Sequence, residues 1–228
     1  MKSRFLEWAT GRGHDIVRYG PSFAASSAVL RALGLAAVPR FLDEAREVGV
    51  RDKEAWLYAL VRSRRPERVV ETGVCEGWST AAMLKAMRAN ATGRLWSVDL
   101  PTYDPAGSVN ADGRREGAVI PGGMEPGFEV PAYLRDRWTL RLGDARQVLP
   151  KLFDEVGPVD LFVHDSEHSH AHQRWEYELA WEYLRPLGIL ASDDTDWTPA
   201  FREFARLHDP AGHRTLDLGR RGLIGRPA

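Results

Sequence analysis

The chain has one cysteine, no long apolar run and no surplus of either charge, and each shortage removes a class of protein. Cys75 alone allows no internal disulfide, so the fold must rest on a packed core and suits a reducing compartment, which predicts the cytoplasm. Against 32 acids, 31 lysines and arginines leave a formal charge of -1, so no nucleic-acid or anionic-membrane partner is expected. The most apolar stretch, Phe23–Val38, contains Arg31 and is too short to span a bilayer; it reads as a core or interface helix. Met1–Glu7 carries positive charge with no apolar segment behind it, so no export signal is expected. What is left is ordinary globular composition, 43% hydrophobic and 28% charged over 228 residues, enough for one sizeable core.

Residues 1–65 read as a helical extension packed on that core, with Ala-Leu-rich runs broken at Gly34 and Pro39. Asp52 is placed to cap a helix from Lys53 to about Ser63, with Trp56, Leu57, Leu60 and Val61 as its apolar face. Over residues 66–228 the pattern changes to strands alternating with helices. Strands are predicted at Arg68–Glu71, Arg94–Asp99, Trp138–Leu142, Val159–His164 and Ile189–Ser192. Helices are predicted at Ser79–Ala89, Asp144–Phe153, His172–Leu184 and from Thr198-Pro199 to about Leu207. The alternation predicts an α/β fold with a doubly wound, Rossmann-like parallel sheet. His213–Leu218 and Gly222–Ile224, joined across Gly219-Arg220-Arg221, read as an antiparallel hairpin on the sheet edge. An insertion at about 101–137 breaks the alternation. Its Pro101–Pro131 part holds six glycines and five prolines and is expected to act as a lid.

The first strand runs into Glu71-Thr72-Gly73-Val74-Cys75-Glu76-Gly77-Trp78-Ser79-Thr80. Glycines there let backbone approach a ligand, and Ser79 can cap the following helix. The third glycine of a dinucleotide fingerprint is missing, so a ligand with a charged amino-acid end suits the loop better than a pyrophosphate. Glu71 is a candidate partner for an ammonium group, and Asp99, closing the second strand, for ribose hydroxyls. Gly143-Asp144-Ala145 puts another acid where an adenine amino group can be read.

Two further strands stop at carboxylates: Phe162-Val163-His164-Asp165 and Ala191-Ser192-Asp193-Asp194. In an open parallel sheet ligands sit beyond the carboxyl ends of the strands. Asp165, Asp193 and Asp194 therefore form a candidate cation site whose hard oxygens suit Mg²⁺, with Mn²⁺ or Ca²⁺ as substitutes. His168 follows closely and titrates near neutrality, which makes it the candidate base. A zinc reading of His164, His168, His170 and His172 lacks a further ligand at zinc spacing; His170 and His172 read as solvated helix-start residues. Trp175, Leu179 and Tyr183 share a helix face and read as core, and Cys75 as a small filler.

Over roughly residues 50–228 the chain resembles class I S-adenosylmethionine-dependent methyltransferases, and more narrowly bacterial metal-dependent O-methyltransferases of the macrocin and catechol type. The resemblance is carried by Val69-Val70-Glu71-Thr72-Gly73-Val74, Gly77-Trp78-Ser79-Thr80, Val98-Asp99-Leu100, Phe162–Ser169 and Ser192-Asp193-Asp194. It implies a seven-stranded sheet ending in an antiparallel hairpin. It also implies S-adenosylmethionine held by Glu71, Gly73, Gly77, Ser79, Asp99, Asp144, Ala145 and Asp165. Catechol-type enzymes carry asparagine at the place of Asp194, and macrocin-type enzymes glutamate at the place of Asp193. The expected activity is methyl transfer to a hydroxyl of a small molecule: a sugar, a phenol or another natural product. A metal-independent transferase, a non-catalytic cofactor binder and a zinc hydrolase are the alternatives. A homodimer or higher homo-oligomer stays open.

Overall fold

The computed structural model describes Leu35 and residues 38–116 and 118–228; Gly34 and nearly all of the Phe23–Val38 segment lie outside the described residues. Two helices come first, α1 (Val38–Glu47) and α2 (Ala55–Arg64). Asp52 does not cap α2. Glu54 takes the cap position without a side-chain hydrogen bond, and Asp52 accepts from Arg46 Nε at 3.3 Å instead. Ala55 to Val61 are all buried, so α2 is enclosed on every side rather than along one stripe.

Strands β1 (Arg68–Thr72), β2 (Arg94–Asp99), β5 (Trp138–Leu142), β6 (Val159–His164), β7 (Leu184–Ser192), β8 (Thr215–Asp217) and β9 (Gly222–Gly225) form one sheet in the order β5-β2-β1-β6-β7-β9-β8. The first five run parallel, and β8 and β9 are antiparallel, so the terminal hairpin is seated on β7 as expected. β7 starts five residues before the predicted Ile189, because Pro186 and the positive φ of Leu187 (63°) hide its first half. Between the strands run α3 (Trp78–Asn90), α4 (Ala145–Val156), α5 (His170–Tyr183) and α6 (Ala200–His208).

Alternate residues on each strand leave the sheet on opposite sides. Val69, Leu161, Val163, Ile189 and Leu223 pack against α1, α2 and α3, whereas Val70, Phe162, Leu190 and Ile224 pack against α4, α5 and α6. A parallel sheet covered on both faces needs such two-sided apolar strands. The 101–137 insertion is partly ordered by a small hairpin, β3 (Ser108–Val109) with β4 (Arg115–Glu116), and by a 3₁₀ turn over Ala132–Arg137. Among the described residues no helix is long and apolar enough to cross a membrane.

Candidate active site

Register decides what meets at the carboxyl end of the sheet. Thr72 pairs with His164, and His164 with Ser192, so the next residues, Gly73, Asp165 and Asp193, leave three adjacent strands at one level. The ladders continue one step into the loops: Asp165 N donates to Thr72 O at 2.9 Å and Asp193 N to His164 O at 3.0 Å.

Gly73 lies directly against the second of these loops. Its φ is +81°, and a Cβ there would stand 1.9 Å from the Asp165 carbonyl oxygen. Gly77 heads α3 at φ +97°, where a Cβ would meet Gly127 Cα of the insertion at 2.7 Å. The insertion is fastened there by Gly127 N to Cys75 O (2.8 Å) and Glu129 N to Glu76 O (2.9 Å). Asp99 shapes the turn as well: its Oδ2 accepts from Val74 N (2.6 Å) and Cys75 N (2.9 Å).

Glu71 is fully buried beneath the turn. Its Oε1 accepts from Ser79 Oγ, and its Oε2 from Thr80 Oγ1 and Ser97 Oγ, each at 2.7 Å. Ser79 therefore does not cap α3; a buried carboxylate recruits its hydroxyl. Burial raises the Glu71 carboxyl to about 7, against the three hydroxyl donors that stabilise its charge. With the folded value raised, the neutral form stabilises the fold at acid pH, and that contribution is lost as pH climbs from 4.5 through about 7. Glu71→Gln should lose about 2–4 kcal/mol of this pH dependence, read from urea unfolding at pH 5 and pH 8. Parallel pH profiles for both proteins would contradict it.

Asp144 Oδ1 accepts from Arg146 N at 2.8 Å and caps α4, with Ala145 buried behind it. Neither lines the cavity at the carboxyl end of the sheet, and Glu71 and Asp99 do not line it either; Gly73, Gly77, Ser79, Asp165, His168, Asp193 and Asp194 do.

That cavity, of about 270 Å³, runs from the Gly73–Ser79 turn to Asp165, His168 and Asp194. Ligand atoms of these last three residues lie within 4.8 Å of one another. His168 Nε2 stands 3.7 Å from Asp165 Oδ1 and 3.9 Å from Asp194 Oδ2, and is buried without a hydrogen-bond partner. Asp193 turns aside: its Oδ1 accepts from Asp194 N (3.0 Å) and lies 3.6 Å from Arg221 Nε. The close set is thus two aspartates and an imidazole, with Asp193 behind them. Two carboxylates beside a buried, unpartnered imidazole nitrogen fit a cation held by oxygen ligands, with the imidazole left free next to it.

Electrostatics agree with that fit. Burial, reinforced by Asp193 and Asp194, pushes the Asp165 carboxyl well above the usual carboxylate range despite His168. Burial lowers the His168 imidazole, but Glu116, Asp165 and Asp194 together outweigh it and raise it. Glu116 reaches in from the insertion, accepting from His168 N at 2.7 Å and standing 3.6 Å from its Nδ1.

Several site residues carry no motif in the sequence. Arg220 Nε donates to Asp194 Oδ1 at 3.0 Å, so the hairpin turn supplies two arginines to the acid pair. Trp197, 5.1 Å from the His168 ring, and Trp56, Arg51 and Lys53 from the N-terminal side also line the cavity. His172 is not solvated: it is buried, with Nε2 2.9 Å from Glu176 Oε1. His170 is half-exposed and pairs with Glu203 at 2.8 Å. The zinc reading loses both, since each faces a carboxylate outside the cluster.

A family model described as a methyltransferase domain matches residues 70–195, more than half of the chain. No curated protein matches the chain by sequence. Among solved structures, a Klebsiella pneumoniae protein described as an O-methyltransferase superposes with a TM-score of 0.53 at 20% identity, covering 90% of this chain and 97% of that one. An O-methyltransferase from Bacillus cereus in complex with SAH gives 0.52 at 18% identity, covering 96% and 98%. The MycE methyltransferase of the mycinamycin biosynthetic pathway, in complex with Mg and SAH, gives 0.50 at 16% identity, covering 73% and 46%. With the sheet order, the glycine turn and the matched segment in agreement, this chain belongs to the methyltransferase-domain family and has the fold of class I S-adenosylmethionine-dependent O-methyltransferases.

Proposed function

We propose that the protein transfers the methyl group of S-adenosylmethionine to a hydroxyl of a small molecule, with a divalent cation and His168 assisting. One observation carries the reading: a single cavity joins the glycine turn to the Asp165, His168 and Asp194 cluster. S-adenosylmethionine supplies a methyl carbon on a sulfonium, and the cation, Mg²⁺ by the oxygen-rich donor set and by analogy with MycE, makes an acceptor hydroxyl more acidic.

The chain's own groups do the rest. The Gly73–Ser79 turn lets the cofactor's amino-acid end approach backbone closely. Of the two cations lining the cavity beside it, Arg51 stacks on Trp78 (4.7 Å) and lies 3.4 Å from Glu54, which leaves Lys53 for the cofactor's carboxylate. Asp165 and Asp194 would hold the cation, and His168 Nε2, buried beside both carboxylates with no partner of its own, would accept the hydroxyl proton. The acceptor oxygen then bonds to the methyl carbon as the carbon–sulfur bond breaks, and S-adenosylhomocysteine leaves. Trp56 and Trp197 exclude water around the reacting atoms.

Chelation tests the metal. Turnover in EDTA should fall about 100-fold or more and return on adding Mg²⁺. Undiminished turnover in EDTA would favour a metal-independent transferase in which His168 works alone.

A further inference from the structure

Glu176, on α5, is completely buried, and the chemistry above makes no use of it. Its Oε2 accepts from Thr72 Oγ1 at 2.5 Å and lies 2.7 Å from His164 Nδ1. Its Oε1 accepts from Ser166 Oγ at 2.9 Å and lies 2.9 Å from His172 Nε2. An ionised carboxylate is costly to bury and persists only when its lone pairs are met. Here four donors meet them. Burial on its own would raise the Glu176 carboxyl, but His164 and His172 hold it far below the usual range.

The four partners are placed as a brace would need. Thr72 ends β1 and precedes Gly73; His164 ends β6 and precedes Asp165; Ser166 lies between Asp165 and His168; His172 belongs to the first turn of α5. We propose that Glu176 is a positioning residue: through Thr72 and Ser166 it locks the glycine turn and the 165–168 loop against each other, and so holds Asp165 and His168 opposite Asp194. The inference rests on the reading of Asp165 and His168 as the reacting groups. Outer partners that orient metal ligands act in this way, and losing one typically weakens metal binding about 10–100-fold.

Ser166→Ala cuts the link to the loop and leaves Glu176 three partners; Glu176→Gln removes the charge in the same shape. In Ser166→Ala the melting temperature should stay within about 3 °C of wild type. The amides of residues 165–169 should exchange with deuterium about 10-fold faster while the central strands keep their protection. Mn²⁺ affinity, read by electron paramagnetic resonance, should fall about 10-fold, and further in Glu176→Gln. Unchanged exchange over 165–169 overturns the proposal, as does faster exchange spread over the whole sheet, which marks a merely structural role. Unaltered Mn²⁺ affinity despite a loosened loop also overturns it. A wild-type protein that takes up no Mn²⁺ sinks the metal reading instead, and the local exchange then decides the positioning role.

Discussion

Asp165→Asn is expected to lower methyl transfer about 1000-fold or more while raising the melting temperature by a few degrees. The two effects share a cause. Asp165 is pushed toward its neutral form by burial and by Asp193 and Asp194, so a negative charge there is held against the fold's preference. Asparagine keeps the shape and removes the like-charge repulsion, which favours folding. It also removes a ligand oxygen 3.7 Å from His168 Nε2 and one of the charges that draw a cation in. Because the folded value is raised, the ionised side chain destabilises at high pH, and the stabilising effect of asparagine grows as pH rises. Differential scanning calorimetry beside turnover measures both. A variant that melts lower than wild type, or that keeps its turnover, contradicts the assignment.

Gly73→Ala is expected to destabilise the protein by about 3–5 kcal/mol and to abolish S-adenosylhomocysteine binding. Two costs add. At φ +81° an alanine is strained, and its Cβ would stand 1.9 Å from Asp165 O and 2.8 Å from Ser166 N, both backbone atoms that cannot swing away. Relief requires the ends of β1 and β6 to separate, which moves the glycine turn and the Asp165 loop together. Urea unfolding measures the first effect and isothermal titration calorimetry the second. The control is Gly113→Ala: its φ of +75° gives similar backbone strain, but nothing lies within 4 Å of a Cβ there. Equal losses in the two variants would mean that backbone conformation, not the close approach to Asp165, makes glycine necessary at position 73.

Local signals made most of the frame legible. β2, β5 and β6 have the predicted bounds because their strand-forming runs are short and sharply ended by turn residues or acids. The errors lie where tertiary context overrides a local rule. Ser79 looks like a helix cap, yet the buried charge of Glu71 claims its hydroxyl. Asp52 looks like a cap too, but Arg46 offers it an ion pair. His172 has the polarity of a surface residue and is buried because Glu176, one helical turn on, needs a donor. Arg220 and Arg221 read only as a turn, since nothing local says that a hairpin on the far side of β7 brings them to Asp194 and Asp193.

Neighbouring residues alone specify the alternation of strands and helices, the glycine turn after β1, the acid that ends β2 and those that follow β6 and β7. These are properties of neighbouring residues, and periodicity and turn chemistry express them without help from the rest of the chain. Tertiary structure alone decided which acids converge, and that His168 rather than Asp193 completes the close set. It also decided that Glu116, Trp197 and two hairpin arginines surround that set, and that buried Glu176 bonds both to its loop and to Thr72 beside the glycine turn. Those facts depend on strand register and crossover packing, which bring together residues such as Thr72 and Glu176, and short stretches of chain carry no record of them.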